Sequence, residues 1–156
     1  TGGGRAAERG EREPEGERSG GRGGPSAAAA PSHDEPHRPH TRARKTRTHT
    51  LVNSAATTNS TLVKSTAGTL YGMVISNTGA AAAFVKLYNL ATAPVVGTSA
   101  VVLTIPVLAS NTVSINWGPL GMRFGTGIGL AITNLAPDAD TTAVALGQVK
   151  VATSFI

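Results

Sequence analysis

The chain contains no cysteine, and beyond residue 50 it contains almost no charge. The first absence removes disulfides, so stability must come from burial alone. Between residues 51 and 156 there is no histidine and no glutamate, and the only charged side chains are Lys64, Lys86, Arg123, Lys150, Asp138 and Asp140. General acid–base or nucleophilic catalysis needs a titratable group and a partner that activates it. With those residue types missing, the sequence argues against an enzyme and calls for no cofactor. No apolar run reaches membrane-spanning length, and no charged-then-apolar signal segment is expected.

What is present divides near residue 50. Residues 1–50 hold all four histidines, ten of the 14 Lys+Arg and seven of the nine Asp+Glu, and no aromatic residue. Gly, Pro, Arg and Glu dominate there, and the apolar positions are nearly all alanine. Ordering such a segment costs backbone entropy and removes little surface from water. The expectation is a disordered arm over residues 1–50, with a linker at Ser19–Ser32, followed by one folded domain over 51–156.

The arm's charge is uneven. Residues 1–35 carry an excess of acid, whereas 36–50, PHRPHTRARKTRTHT, carry Arg38, Arg42, Arg44, Lys45 and Arg47 and no acid. That run is a candidate contact for nucleic acid, another polyanion or a protein lattice. Against it stands a solvated tether, since no aromatic is interleaved for base stacking. His33, His37, His40 and His49 do not predict a metal site. Pro36 and Pro39 forbid the helix that would align them, and no cysteine completes a zinc pattern.

Period-two alternation runs through the rest. Leu103, Ile105 and Val107 alternate with Thr104 and Pro106, and Val113, Ile115 and Trp117 with Ser114 and Asn116. Ile128, Leu130 and Ile132 alternate with Gly129, Ala131 and Thr133, and Val149, Val151 and Phe155 face away from Lys150, Ala152 and Ser154. Leu62–Lys64, Thr69–Ser76 and Phe84–Tyr88 complete the strands, with a weaker candidate at Ala143–Leu146. Turn residues separate them, and no helical period intervenes. The pattern predicts an all-β domain, a single antiparallel β-sandwich or small jelly roll. Pro106 inside a strand implies that this strand lies at an edge or ends in a bulge.

Few residues offer a binding site. Asp138 and Asp140 are weak metal candidates, because calcium takes six to eight oxygens and only two carboxylates stand here; a local turn explains them as well. The glycines of GTGIGL (Gly125–Leu130) precede a strand rather than a helix, so they serve a turn or bulge and not a phosphate loop. Tyr71 and Tyr88 are possible surface aromatics for a sugar face, and Trp117, in register with Val113 and Ile115, is expected in the core.

The missing charge is itself informative. Residues 51–156 are about 6 % charged, against roughly 25 % in ordinary soluble domains. Outward positions are filled by Ser, Thr, Asn, Ala and Gly, which cost little entropy to immobilise and hold few ions to desolvate under a partner. Such a surface suits a subunit packed among copies of itself, with a trimer expected, or docked on a lattice; the alternative is an extracellular module whose solubility rests on hydroxyls and on its arm.

GTLYGMVISNT (Gly68–Thr78), AAFVKLYNLATAPVVGTS (Ala82–Ser99), VLTIPV (Val102–Val107), FGTGIGLAIT (Phe124–Thr133) and DADTTAVALGQVKV (Asp138–Val151) together resemble a small β-sandwich protein found among tailed-bacteriophage structural proteins. The resemblance spans residues 55–152 and none of the arm. It implies a capsid decoration, head-fibre or tail-associated protein on the particle surface, partnered by the major capsid protein or another virion protein, with no catalytic residues. Two further readings remain: a small icosahedral virus coat protein whose basic arm binds the genome, and a carbohydrate-binding module.

Overall fold

The structure, a computed structural model, describes residues 45–156. The chain divides into two units, Thr1–Thr41 and Arg42–Ile156, and every described residue belongs to the second. Residues 1–44 of the expected disordered arm, and with them Arg38, Arg42, Arg44, His33, His37 and His40, lie outside the described residues.

The fold is all-β, as the alternation predicts. Nine strands follow one another among the described residues: β1 (Thr48–Asn53), β2 (Thr61–Lys64), β3 (Gly68–Asn77), β4 (Ala83–Tyr88), β5 (Leu103–Val107), β6 (Asn111–Asn116), β7 (Met122–Phe124), β8 (Ile128–Thr133) and β9 (Val149–Phe155). One sheet has the order β1-β9-β3-β6, with β7 also on β3, and the other the order β2-β8-β4-β5. Every pairing is antiparallel. Leu70 pairs with Phe155 on one side and Met122 on the other, so β7 prolongs the β6 edge.

The first strand thus pairs with the last, the second with the last but one, β3 with β6 and β7, and β4 with β5. Nested antiparallel pairs wound into two sheets are the connectivity of a jelly roll. Four connections (β1–β2, β3–β4, β5–β6 and β8–β9) meet at one end of the sandwich. The rest meet at the other, beside the start of β1.

The core lies between the sheets and is built from the predicted faces: Ile75, Val85, Leu87, Ile105, Leu130, Ile132, Val151 and their neighbours. Leu103 and Ile115 are only partly buried and pack against it, as does Trp117, which lies just past the end of β6. Pro106 sits in an edge strand, where its missing N–H costs no ladder bond.

Four features depart from the sequence reading. Strand β1 begins at Thr48 and pairs residue for residue with β9, so the domain reaches back into the segment assigned to the arm. The polar trio Thr48–Thr50 hides this, because edge pairing needs backbone rather than apolar side chains. The short β7 is an unforeseen strand. Ala143–Leu146 is loop, not strand, and contributes only Val144 to the core. The β3 ladder shifts register between Leu70 and Gly72 against β9, which leaves Tyr71 as an extra, bulged residue.

Candidate interaction surfaces

The outer face of the β1-β9-β3-β6 sheet is built from small and apolar residues in cross-strand rows. One row runs Leu51, Ala152, Val74, Ser114, and the next His49, Ser154, Gly72, Asn116. Leu51 is 67% exposed and Val74 45%, although both sit on a β-sheet face. Together these rows floor a shallow depression of about 580 Å³. Among the described residues, fixed charge stands only at its margins. Arg47 borders it beside Tyr71, and Lys150 lies in the third row, between Asn53 and Ser76.

The outer face of the β2-β8-β4-β5 sheet is closed off by the protein's own connections. All six residues of β8 are buried, because Gly129, Ala131 and Thr133 lie under loops rather than in solvent. A Cβ on Gly129 would come within 3.2 Å of the Pro94 ring. Lys86, outward on β4, is completely buried, and its Nζ donates to the Pro137 carbonyl at 2.5 Å and, more weakly, to the Asp140 carbonyl at 3.5 Å.

Lys86 anchors the loop that carries the two aspartates. The Asp140 carboxylate accepts from the Leu135 N–H at 2.9 Å and from the Thr142 N–H at 3.1 Å, and also from the Thr142 hydroxyl. Partial burial pulls the Asp140 carboxyl up; these hydrogen bonds and the Lys86 ammonium outweigh it and leave the group below its ordinary range. The loop is the Asx-type turn that the sequence offers as the alternative to metal. An ammonium already occupies its carbonyls. Among the described residues, no three His, Cys, Asp or Glu side chains come together to hold a metal ion.

Tyr88 corrects the sequence reading outright. The sequence offers it as a possible surface aromatic, yet it is completely buried beneath the same loops, facing Gly129 across the ladder. Its hydroxyl has no hydrogen-bond partner among the described residues, and burial, followed by the nearby Asp138 charge, pushes its pKa up. A ring in that position cannot stack on a sugar. Tyr71 is outward and half-buried, but the Arg47 guanidinium lies 4.4 Å over its ring centroid. The bulge in β3 aims Tyr71 at Arg47, and no periodicity in the sequence signals that pairing.

The end of the sandwich beside the start of β1 gathers the cations. Lys45, Lys64 and Arg123 line a depression of about 730 Å³ together with Gly68, Gly125 and Phe155. Lys45 and Arg47 line an adjoining one, of about 740 Å³, with Tyr71 and Pro119. Gly68 makes room for the Lys64 stem, since a Cβ there would meet Lys64 Cδ at 2.7 Å. Apolar tips stand at both ends: Leu120, 86% exposed, in the β6–β7 connection beside the cations, and Leu108 and Leu146 at the opposite end. Comparison of the chain with protein-family models, with curated proteins and with solved structures finds no match.

Proposed function

We propose that the domain is a non-enzymatic structural component of a virus particle, of the kind formed by tailed-bacteriophage capsid decoration and head-surface proteins. It assembles through protein–protein contacts with copies of itself and with the major capsid protein or another virion protein. One observation carries this reading: the Leu51–Ala152–Val74–Ser114 row and its neighbours form an open sheet face with apolar residues exposed and cations only at its margins. A solitary soluble domain keeps such a face charged, and two edge strands, β1 and β6, flank it with no further strand paired to them among the described residues. A face of short side chains loses little entropy when covered.

Co-sedimentation with empty capsids tests the reading. The wild-type chain is expected to pellet with them, and Val74→Glu to remain in the supernatant while keeping its β-sheet spectrum. Equal pelleting of both would remove this face from the interface.

A second reading is favoured by the strand order together with the clustered cations: a coat protein whose jelly roll forms the shell and whose basic N-terminal side faces the genome. Jelly rolls serve viral capsids, lectins and cupins alike, so fold alone does not choose between them. The carbohydrate-binding reading loses support, because Tyr88 is buried and the face of Tyr71 is occupied.

A further inference from the structure

Charge in the domain is segregated by the fold in a way the sequence does not display. Of its cations, Lys45 and Arg47 precede β1, Lys64 ends β2 and Arg123 sits in β7, yet all four line two depressions at one end of the sandwich. The depressions share Lys45, Thr46 and Ile156, so they form one continuous track around the start of β1. Among the described residues, no acidic side chain lines it. The two acids of residues 45–156, Asp138 and Asp140, belong to the β8–β9 connection, where Asp140 is engaged with its own loop and Lys86. Immediately upstream in sequence stand Arg42 and Arg44.

From this geometry we infer that the track binds the phosphate backbone of a single-stranded nucleic acid without regard to sequence. A groove that follows a strand needs spaced cations and room for the sugar, with aromatic or guanidinium planes beside it. Lys45, Lys64 and Arg123 supply the charges, Gly68 and Gly125 keep the floor low, and Tyr71 holds the Arg47 guanidinium over its ring at one end. The basic run alone lacks any aromatic partner; the fold provides one by bulging Tyr71 toward it. Lysine and arginine placed on phosphates release condensed counterions, so the binding must weaken steeply with salt. The inference stands on this charge geometry and does not depend on which virion location the protein occupies.

The test uses the full chain and a fluorescein-labelled oligo(dT), followed by anisotropy across a salt series. The double variant Lys64→Gln/Arg123→Gln is expected to bind about tenfold more weakly at low salt. Its slope of log K against log salt is expected to flatten by about 1.4, roughly 0.7 for each phosphate no longer neutralised. Lys150→Gln, which removes an exposed cation from the outer sheet face, is expected to bind like the wild type. Wild-type affinity and slope in the double variant would overturn the inference, since the upstream basic run would then bind by itself. Equal weakening in Lys150→Gln would overturn it too, by reducing the effect to net charge. Full competition by a sulfated polysaccharide at matched charge, with oligo(dT) bound no better, would reassign the track to acidic glycans. Light scattering on the same samples reads self-association separately, so failure here is distinguishable from failure of the assembly proposal.

Discussion

Lys86 is the most informative residue to perturb, because its stem and its ammonium do different work. The side chain is completely buried, and its Nζ is the donor that ties the Pro137–Asp140 turn down onto β4. Lys86→Ala removes three buried methylenes beyond Cβ, worth about 2.4 kcal/mol at roughly 0.8 kcal/mol each. It also removes a charged hydrogen bond, worth about 1.5–3 kcal/mol. Relief from burying an ammonium offsets part of this, so the expected cost is about 3–4 kcal/mol. Lys86→Met keeps most of the stem and loses only the charge, so about 1–2 kcal/mol is expected. Urea unfolding followed through Trp117, the single tryptophan, reads both values. If Met costs as much as Ala, the ammonium carries all the stabilisation and the packing argument is wrong. If neither costs more than about 0.5 kcal/mol, a surface-like value, the turn is not held by Lys86 at all.

Three further outcomes concern the other buried and close-packed positions. Tyr88→Phe removes a buried hydroxyl without a partner and is expected to stabilise the domain by about 1 kcal/mol in the same urea assay; destabilisation would mean the hydroxyl is bonded. Gly127→Ala places a Cβ 2.7 Å from the Lys64 carbonyl oxygen and closer still to that of Leu90, both backbone atoms, so a loss of about 1–3 kcal/mol is expected and an unchanged melting temperature would refute the close approach. Asp140, whose pKa is lowered by folding, contributes stability that is present above its unfolded value near pH 4 and is lost as pH falls through the folded value. A pH series of melting temperatures is therefore expected to show a shallower acid drop in Asp140→Asn than in the wild type, and parallel curves would contradict this.

The strands of the core are legible because one residue in two is apolar, and Leu130, Ile132 and Val151 fall on the faces that alternation assigns. Pro106 likewise marks β5 as an edge strand. Alternation cannot reveal β1, where Thr48, His49 and Thr50 carry no apolar signal and the pairing energy lies in backbone hydrogen bonds to β9. Tyr88 misleads for the opposite reason. Period two correctly sets it on the outer face of its sheet, but nothing in its own strand shows that distant loops fold over that face. The cation track is illegible because Lys64 and Arg123 are isolated in sequence and meet Lys45 only through the winding of the roll. Gly127 reads as a turn glycine, and the backbone of Leu90 and Lys64 shows why no side chain fits.

We propose that the open outer face of the β1-β9-β3-β6 sheet is covered by protein in the assembled state. Multi-angle light scattering of the purified chain at micromolar concentration, in low and in high salt, tests it most directly. A closed homo-oligomer, a trimer, is expected, with a mass that does not change with salt because few ion pairs are present to screen. A monomer at both salt concentrations would contradict it.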